Sequence, residues 1–455
     1  MKRFSLIGRL GADDKANVRV IQRDSAEHEI NFLNADRKID FGIGHALDQL
    51  SSLGLEPAEE AVDLVLLAAM VNAGDTRVSR KINAQDGWTR EIDLYVPVSD
   101  PPMWTRLSRR LESLLKFLTG DRWRLFFRAR PERMSSIVEP TESLLLDGFD
   151  EVCLFSGGLD SLIGAIDLID DGKYPLLVSH YWDAETAKAQ TYLLERIRRR
   201  FPTVEPQAIR VHLGFDHNHL DTGEVEETQR GRSFLFFALA SLTASAFQKP
   251  VTVNVPENGL IALNVPLDPL RFGALSTRTA HPHFIAGINQ LLEAIGIQAT
   301  LLNRYRHSTK GEMVNSCADL DFLREVVGNS MSCSSPAKAR YKKLSPRHCG
   351  YCVPCLIRRA SLKAGLRSSD PTLYTVSDLA AQTLFTDRSE GEHVRSFQLM
   401  AKRLADRPEL ADILIHKPGP LTAAPAEIPD YAEVFRRGVL EVAELLDGVT
   451  ARPSR

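Results

Sequence analysis

Val152-Cys153-Leu154-Phe155-Ser156-Gly157-Gly158-Leu159-Asp160-Ser161 is the stretch that decides the fold. Four apolar residues run into a Ser-Gly-Gly turn, and the largely apolar segment 162–169 follows, an order that reads strand, tight turn, helix. Two glycines let the backbone turn sharply and approach a ligand, while the free amides and positive dipole end of the next helix favour an anion. Phosphate or pyrophosphate is the expected guest. Ser156 and Ser161 add hydroxyl donors, and Asp160 can hold a magnesium ion or accept a hydrogen bond at the mouth of the loop. The GxxxxGK[ST] phosphate loop occurs nowhere in the chain, which argues against a conventional P-loop ATPase or GTPase.

Outward from this stretch, segments 152–155, 162–168, 176–181, 187–199, 208–213, 231–247 and 251–255 alternate between strand and helix character. Such alternation predicts a doubly wound parallel sheet with crossover helices, an α/β fold. Ligands of these sheets sit at the carboxyl ends of the strands. There the glycine loop, His180-Tyr181-Trp182, Gly214-Phe215-Asp216 and Pro256-Glu257-Asn258-Gly259 are expected to converge. Upstream, 18–22, 92–98 and 123–130 read as strands, and 61–71 and 103–118 as helices, so residues 1–145 are expected to form an α+β domain without a catalytic constellation. Residues 146–366 are expected to form a nucleotide domain, and 367–455 a helical extension built from 377–384, 392–404, 411–416 and 431–446, with a proline-rich linker at 417–429.

The 455 residues carry a net charge of −3 and 44% hydrophobic side chains, the profile of a globular protein without a generally basic surface, so direct nucleic-acid binding is not expected. The longest apolar stretch, 233–247, is shorter than the roughly 20 residues a bilayer requires and reads as a buried helix, so no membrane partner is expected. Asp13 and Asp14 interrupt the amino-terminal segment before any signal-like apolar core, which points to the cytoplasm.

Cys349, Cys352 and Cys355 stand at C-x2-C-x2-C spacing, close enough to share one tetrahedral ion. Cys333 is the preferred fourth ligand, separated from Cys349 by 15 residues rich in Ser, Pro, Lys and Arg. His348 and Cys317 are its rivals. Four thiolates make a closed, structural zinc site. The competing reading is a redox or sulfur-carrying set, or an iron–sulfur cluster. Cys153, inside an apolar strand, reads as a small buried hydrophobe.

The Ser156–Ser161 hexapeptide resembles the PP-loop of the adenine nucleotide alpha-hydrolase-like ATP pyrophosphatases. With the cysteine set and the following Leu356-Ile357-Arg358-Arg359-Ala360, the chain is similar to the QueC-type 7-cyano-7-deazaguanine synthases over roughly 151–366. Gly231-Arg232-Ser233-Phe234-Leu235-Phe236 matches that family's GRN-Φ-F element, with Ser233 in place of its asparagine. His180-Tyr181-Trp182-Asp183 replaces its YGQ, and the spacer from Cys333 to Cys349 is longer than usual, so the substrate end of the pocket is expected to differ. The added amino-terminal domain and helical tail resemble the QueC-like component of the Qat antiphage defence systems. The resemblance implies ATP, Mg2+ and Zn2+ as cofactors and adenylation of 7-carboxy-7-deazaguanine or a related acid. Pyrophosphate leaves, and the acyl group passes to ammonia or to an amine of a partner protein in a defence complex. It implies Asp160, Ser161 and Arg232 as catalytic residues, and Leu154, Phe155, Ser156, Gly157, Gly158, Leu159, Asp160, Ser161, Tyr181 and Glu257 as the nucleotide-binding set. Cys333, Cys349, Cys352 and Cys355 are the metal ligands. Arg232 suits a phosphate or carboxylate clamp because its planar fork makes bidentate contacts. A tRNA-thiolating enzyme and a non-enzymatic nucleotide-sensing scaffold remain alternatives.

Three further motifs have both a functional and a plain reading. Glu257-Asn258-Gly259 could read a purine-like edge or simply cap a turn. Ser276 to His283 gathers hydroxyls, a cation and imidazoles that could hold a substrate or phosphate. Arg196, Arg198, Arg199 and Arg200 read as a solvated helix face.

Overall fold

The computed structural model describes every residue except 1, 35–37, 85–86, 142–147, 225, 227, 269–277, 367 and 455. Its first sheet has four strands, β1 (Arg3–Arg9), β2 (Ser25–Asn31), β3 (Glu91–Val98) and β4 (Arg122–Ala129), in the order β2-β1-β3-β4. Every pair is parallel. The helices α1 (Ile43–Ser52), α2 (Glu59–Arg77), α3 (Arg80–Asn83) and α4 (Pro101–Thr119) lie in the crossovers. The amino-terminal region is therefore layered α/β, which corrects the α+β expectation. The expected strand at 18–22 is irregular backbone, with Ile21 exposed, and both sides of β1 are taken, by β2 and β3.

The second sheet contains β5 (Glu151–Leu154), β6 (Pro175–Tyr181), β7 (Ala208–His212), β8 (Val251–Asn254) and β9 (Ala299–Leu302) in the order β7-β6-β5-β8-β9, again wholly parallel. The chain first builds leftward from β5, through α5 (Leu159–Asp170) and α6 (Ala184–Arg200). It then returns through α7 (Arg232–Ser245) to β8, and reaches β9 by way of α8 (Gly259–Leu263) and α9 (Pro282–Ala294). Strand order reverses beside β5, and crevices at such reversals are where ligands of open parallel sheets bind.

The two faces of this sheet belong to different cores. Val152, Leu154, Leu176 and Val178 join α7, α9 and the whole amino-terminal sheet in one continuous apolar cluster. Cys153, Phe155 and Leu177 face the opposite way, into a second cluster with α5 and α6. This alternation is what a strand buried on both faces requires, and it explains why the strands read as unbroken apolar runs. The apolar stretch read as a buried helix is α7, and among the described residues no helix is long and apolar enough to cross a membrane.

The amino-terminal unit also seals an edge. Gln49 of α1 accepts from Arg210 N at 2.9 Å and donates to Arg210 O at 3.1 Å, occupying the open side of β7 as another strand would. Beyond β9 come α10 (Lys310–Ser316), α11 (Leu320–Val326) and α12 (Val353–Gly365), which cover the α5 face. Then α13 (Ser389–Asp406), α14 (Leu410–Leu414) and α15 (Ile428–Leu445) form a third core with α8 and α12. The tail is helical as expected, except that 377–384 is a run of bends leading to the short β10 (Leu384–Phe385), paired with β11 (Ala451–Arg452).

Candidate functional site

The glycine loop sits at the carboxyl end of β5. Gly157 adopts φ 82°, a conformation that disfavours a side chain, and a Cβ there would stand 3.0 Å from Gln190 Cγ. Gly158 is the cap of α5, so the first amides of that helix open into the loop. Two are lightly held: Gly158 N donates to Ser156 Oγ at 3.3 Å and Leu159 N to Ser332 Oγ at 3.4 Å. Ser156 and Ser161 hydroxyls lie 3.1 Å apart, and Ser161 also donates to Gly158 O. Leu154, Phe155 and Leu159 bury their side chains in the cores, leaving only backbone for a ligand; the Phe155 carbonyl already accepts from Ser179 Oγ.

Asp160 does not stand open at the loop mouth. It is 6% exposed, its Oδ1 lies 2.9 Å from Lys310 Nζ, and its Oδ2 accepts from Asn258 N at 3.1 Å and Asn258 Nδ2 at 2.8 Å. Burial alone would raise this carboxyl, but the Lys310 charge and the hydrogen bonds from Glu257 and Asn258 overcome it and hold Asp160 below its usual range. Burial and the adjacent Asp160 carboxylate push Glu257 the other way, well above its ordinary value. The three side chains form one group, with Asp160 held toward its charged form beside Lys310 and Glu257 held toward its protonated form. The cation beside Asp160 is an ammonium of this chain.

Two buried acceptors near the loop have no donor. His180 Nε2 lies 3.0 Å from Leu213 O, so this nitrogen carries the proton and Nδ1 presents an unpartnered lone pair. Burial, and after it the nearby Arg232 charge, lower His180 to about 4 and keep it neutral. Gln190 Nε2 donates to Ser156 O at 3.3 Å and His180 O at 3.2 Å; both partners are carbonyls, so flipping the amide is excluded and Oε1 is left unpaired. These bonds tie the end of β6 to the glycine loop.

Arg232 opens α7 with its guanidinium 5.7 Å above the Trp182 ring, near Asp183, and forms no ion pair or hydrogen bond among the described residues. The preceding Gly231 amide is held at 2.6 Å by Asp75 of α2. Asp75 in turn belongs to a buried lattice with Arg90, Asp121 and Arg80, so the amino-terminal unit fixes the start of α7. Tyr181, at the end of β6, packs against Arg210 and His212 of β7.

Cys333 joins Cys349, Cys352 and Cys355 in one group. Donor atoms of Cys333, Cys349, Cys352 and Cys355 all lie within 4.8 Å of one another. Cys349 and Cys355 Sγ are 3.8 Å apart, the edge expected of a tetrahedron with metal–sulfur bonds of about 2.3 Å. Backbone amides of Cys349, Cys352 and Ser335 point at sulfurs of the set at 3.3–3.4 Å. Hydrogen bonds from Cys333 and the other two thiols push Cys352 well below its ordinary value, and it caps the positive end of α12. The four residues can hold a metal ion such as zinc. His348 is not among them: its Nε2 accepts from Ser332 N at 3.2 Å. Cys317 lies apart beside Asp167 and is raised by burial, as is Cys153.

The cysteine centre and the glycine loop touch. Met331 N donates to Gly157 O at 2.8 Å, Ser332 Oγ receives Leu159 N, and Cys333 follows immediately. Fully buried Arg358, three residues past Cys355, donates to Ser330 Oγ at 2.8 Å and to Val327 O at 2.6 Å, bracing this segment from behind.

Lys310, Gln190, Ser332 and Arg358 were not legible as site residues. Lys310 left a trace: Thr309 and Glu312 form a capping box that puts a lysine at the first helical position, against the dipole, where a cation needs an acid facing it. The Ser276–His283 segment serves packing in its described part. His281 caps α9 and is lowered to about 3 by burial, while Arg278 donates to Phe117 O and Ser233 bonds Thr279. Ser276 and Thr277 lie outside the described residues. The arginines of α6 behave as a solvated face, Arg196 paired with Glu325 and Arg200 with Asp319. No protein-family model and no curated protein sequence matches the chain.

Proposed function

We propose that this chain is a QueC-like PP-loop enzyme that adenylates a carboxylic acid, 7-carboxy-7-deazaguanine or a close relative, and passes the acyl group to an amine. A carboxylate oxygen attacks the α-phosphorus of ATP, pyrophosphate departs, and the amine then displaces AMP to form an amide with loss of one proton. The observation that carries this reading is the glycine turn at the strand-order reversal, with lightly held amides above a buried Asp160–Lys310 pair.

Each neighbouring group has a use in it. Bound ATP with its magnesium supplies the AMP leaving group. The amides of Gly158 and Leu159 and the hydroxyls of Ser156 and Ser161 offer donors to phosphate oxygens. Lys310 offsets negative charge at the loop, and Asp160 with Asn258 fixes the lysine in place. Unpaired Arg232 suits the acid's carboxylate, with Trp182 beneath it as a surface for a planar ring. His180 Nδ1 and Gln190 Oε1 are acceptors waiting for ring or exocyclic N–H donors, which a deazaguanine or an adenine carries. The cysteine centre then acts structurally, holding Met331 and Ser332 against the turn.

Thiolation of tRNA is the weaker alternative, because Cys153 and Cys317 are buried thiols of raised pKa and the other four are gathered in one cluster. The acceptor is a partner-protein amine or ammonia, in an antiphage defence setting. ATP–pyrophosphate exchange dependent on the deazaguanine acid tests the reading: exchange should appear with the native chain and vanish in Asp160→Ala. Exchange without any acid, or undiminished in that variant, would remove its basis.

A further inference from the structure

The 44 residues from Val326 to Ser369 inclusive contain no Asp or Glu and nine Lys or Arg, in a chain whose net charge is −3. Two of the nine are internal: Arg358 is buried, and Arg359 stacks on Tyr374 and donates to three backbone carbonyls. Five others, Lys338, Arg340, Lys342, Lys343 and Arg347, sit together on the strap from Cys333 to Cys349, whose middle is a 3-10 turn over Pro336–Lys342. None of the five pairs with a carboxylate among the described residues, whereas Arg304, Arg306 and Arg437 elsewhere on the surface all do. Tyr341, at the centre of the strap, is 77% exposed with Arg340 against one face.

Both ends of the strap are pinned by the cysteine centre, and its first residue adjoins Ser332, which touches the glycine loop. A flexible surface loop would let its charges drift; this one is anchored at both ends, starts next to the glycine loop, and carries five cations without a carboxylate partner among the described residues. We propose that the strap is the docking surface for an acidic segment of a partner protein, which delivers its amine to the site. This rests on the amine-acceptor reading above.

The strap favours a peptide over a nucleic acid. A seven-residue 3-10 turn spans on the order of 14 Å at about 2 Å per residue, which suits a few extended acidic residues but not a tracked phosphate backbone. Stacking platforms use successive open aromatic faces, and the strap's one tyrosine has a face covered. Three of the five cations are lysines, point charges that suit carboxylates without demanding planar geometry.

The test is fluorescence anisotropy of the full-length protein with a fluorescein-labelled ten-glutamate peptide and, separately, a labelled ten-nucleotide oligothymidylate, at fixed low salt. The peptide should bind saturably and more tightly than the oligonucleotide. Combined Lys338→Glu, Lys342→Glu and Lys343→Glu should weaken it roughly tenfold or more, while Arg199→Glu on α6 leaves it within about twofold. A milder triple change to Gln should fall between, which guards against misfolding of the reversal. Tighter oligonucleotide binding, no saturable peptide binding, or equal loss with Arg199→Glu would each overturn the proposal. Neither ATP nor the acid is present, so a failure here is separate from a failure of pyrophosphate exchange.

Discussion

Replacing Lys310 by Met leaves Asp160 buried with its counter-ion gone. Breaking a buried pair from one side costs about 3–5 kcal/mol in general. Here the loss has a ceiling, because Asp160 can escape by taking up a proton. An aspartate titrates near about 3.9 in the unfolded chain, and each pH unit is worth about 1.4 kcal/mol. Keeping it protonated in the folded state therefore costs at most about 4 kcal/mol at pH 7, and about 1.5 kcal/mol at pH 5. The sign follows from proton counting. In the variant the folded state binds a proton that the unfolded state has released, so the variant loses stability as pH rises above 4. In the native chain Asp160 is held low, so its contribution is intact above pH 4 and is lost only on acidification through its folded value. Asp160 and Glu257 titrate as one pair, so the difference between the two chains is the extra proton that this pair takes up once the lysine is gone. Urea unfolding of Lys310→Met and the native chain at pH 5, 6 and 7 should give a gap that widens with pH, and in an Asp160→Asn background the same lysine change should cost less than about 1.5 kcal/mol. A gap that is flat with pH, or undiminished in that background, would refute the charge assignment.

Gly157→Ala should cost about 1–2 kcal/mol for its left-handed backbone, plus the push of the new Cβ on Gln190, and should weaken ATP binding measured by calorimetry. Cys352→Ser should release the metal, seen by elemental analysis, and lower ATP affinity as well, because Met331 and Ser332 lose their anchor beside the turn. Arg232→Lys should raise KM for the acid at least tenfold in pyrophosphate release with little change in KM for ATP; a change confined to ATP would move Arg232 to the phosphates. Asp75→Asn, far from the loop but bonded to the Gly231 amide, should raise the same KM severalfold, with Gly231 protection from hydrogen exchange falling in parallel.

The central sheet was legible because its strands are buried on both faces and interrupted by turns at regular intervals, so apolar runs and glycines marked them. The edge strand β2, Ser25-Ala26-Glu27-His28-Glu29-Ile30-Asn31, has mainly polar side chains and takes its place from pairing with β1, which no local pattern announces. The apolar 18–22 segment has strand propensity but finds no ladder. Local spacing also marked three members of the cysteine cluster, and loop reach the fourth. Lys310 meets Asp160 from 150 residues away, and Arg358 reaches Ser330 across the cysteine centre; such pairings are made by the folded topology alone.

In the proposed reaction one oxygen of the acid is transferred to AMP. With the deazaguanine acid labelled with oxygen-18 in its carboxylate, ATP, magnesium and an amine acceptor, the AMP released should carry one labelled oxygen. Unlabelled AMP, or ADP and phosphate in its place, would contradict it.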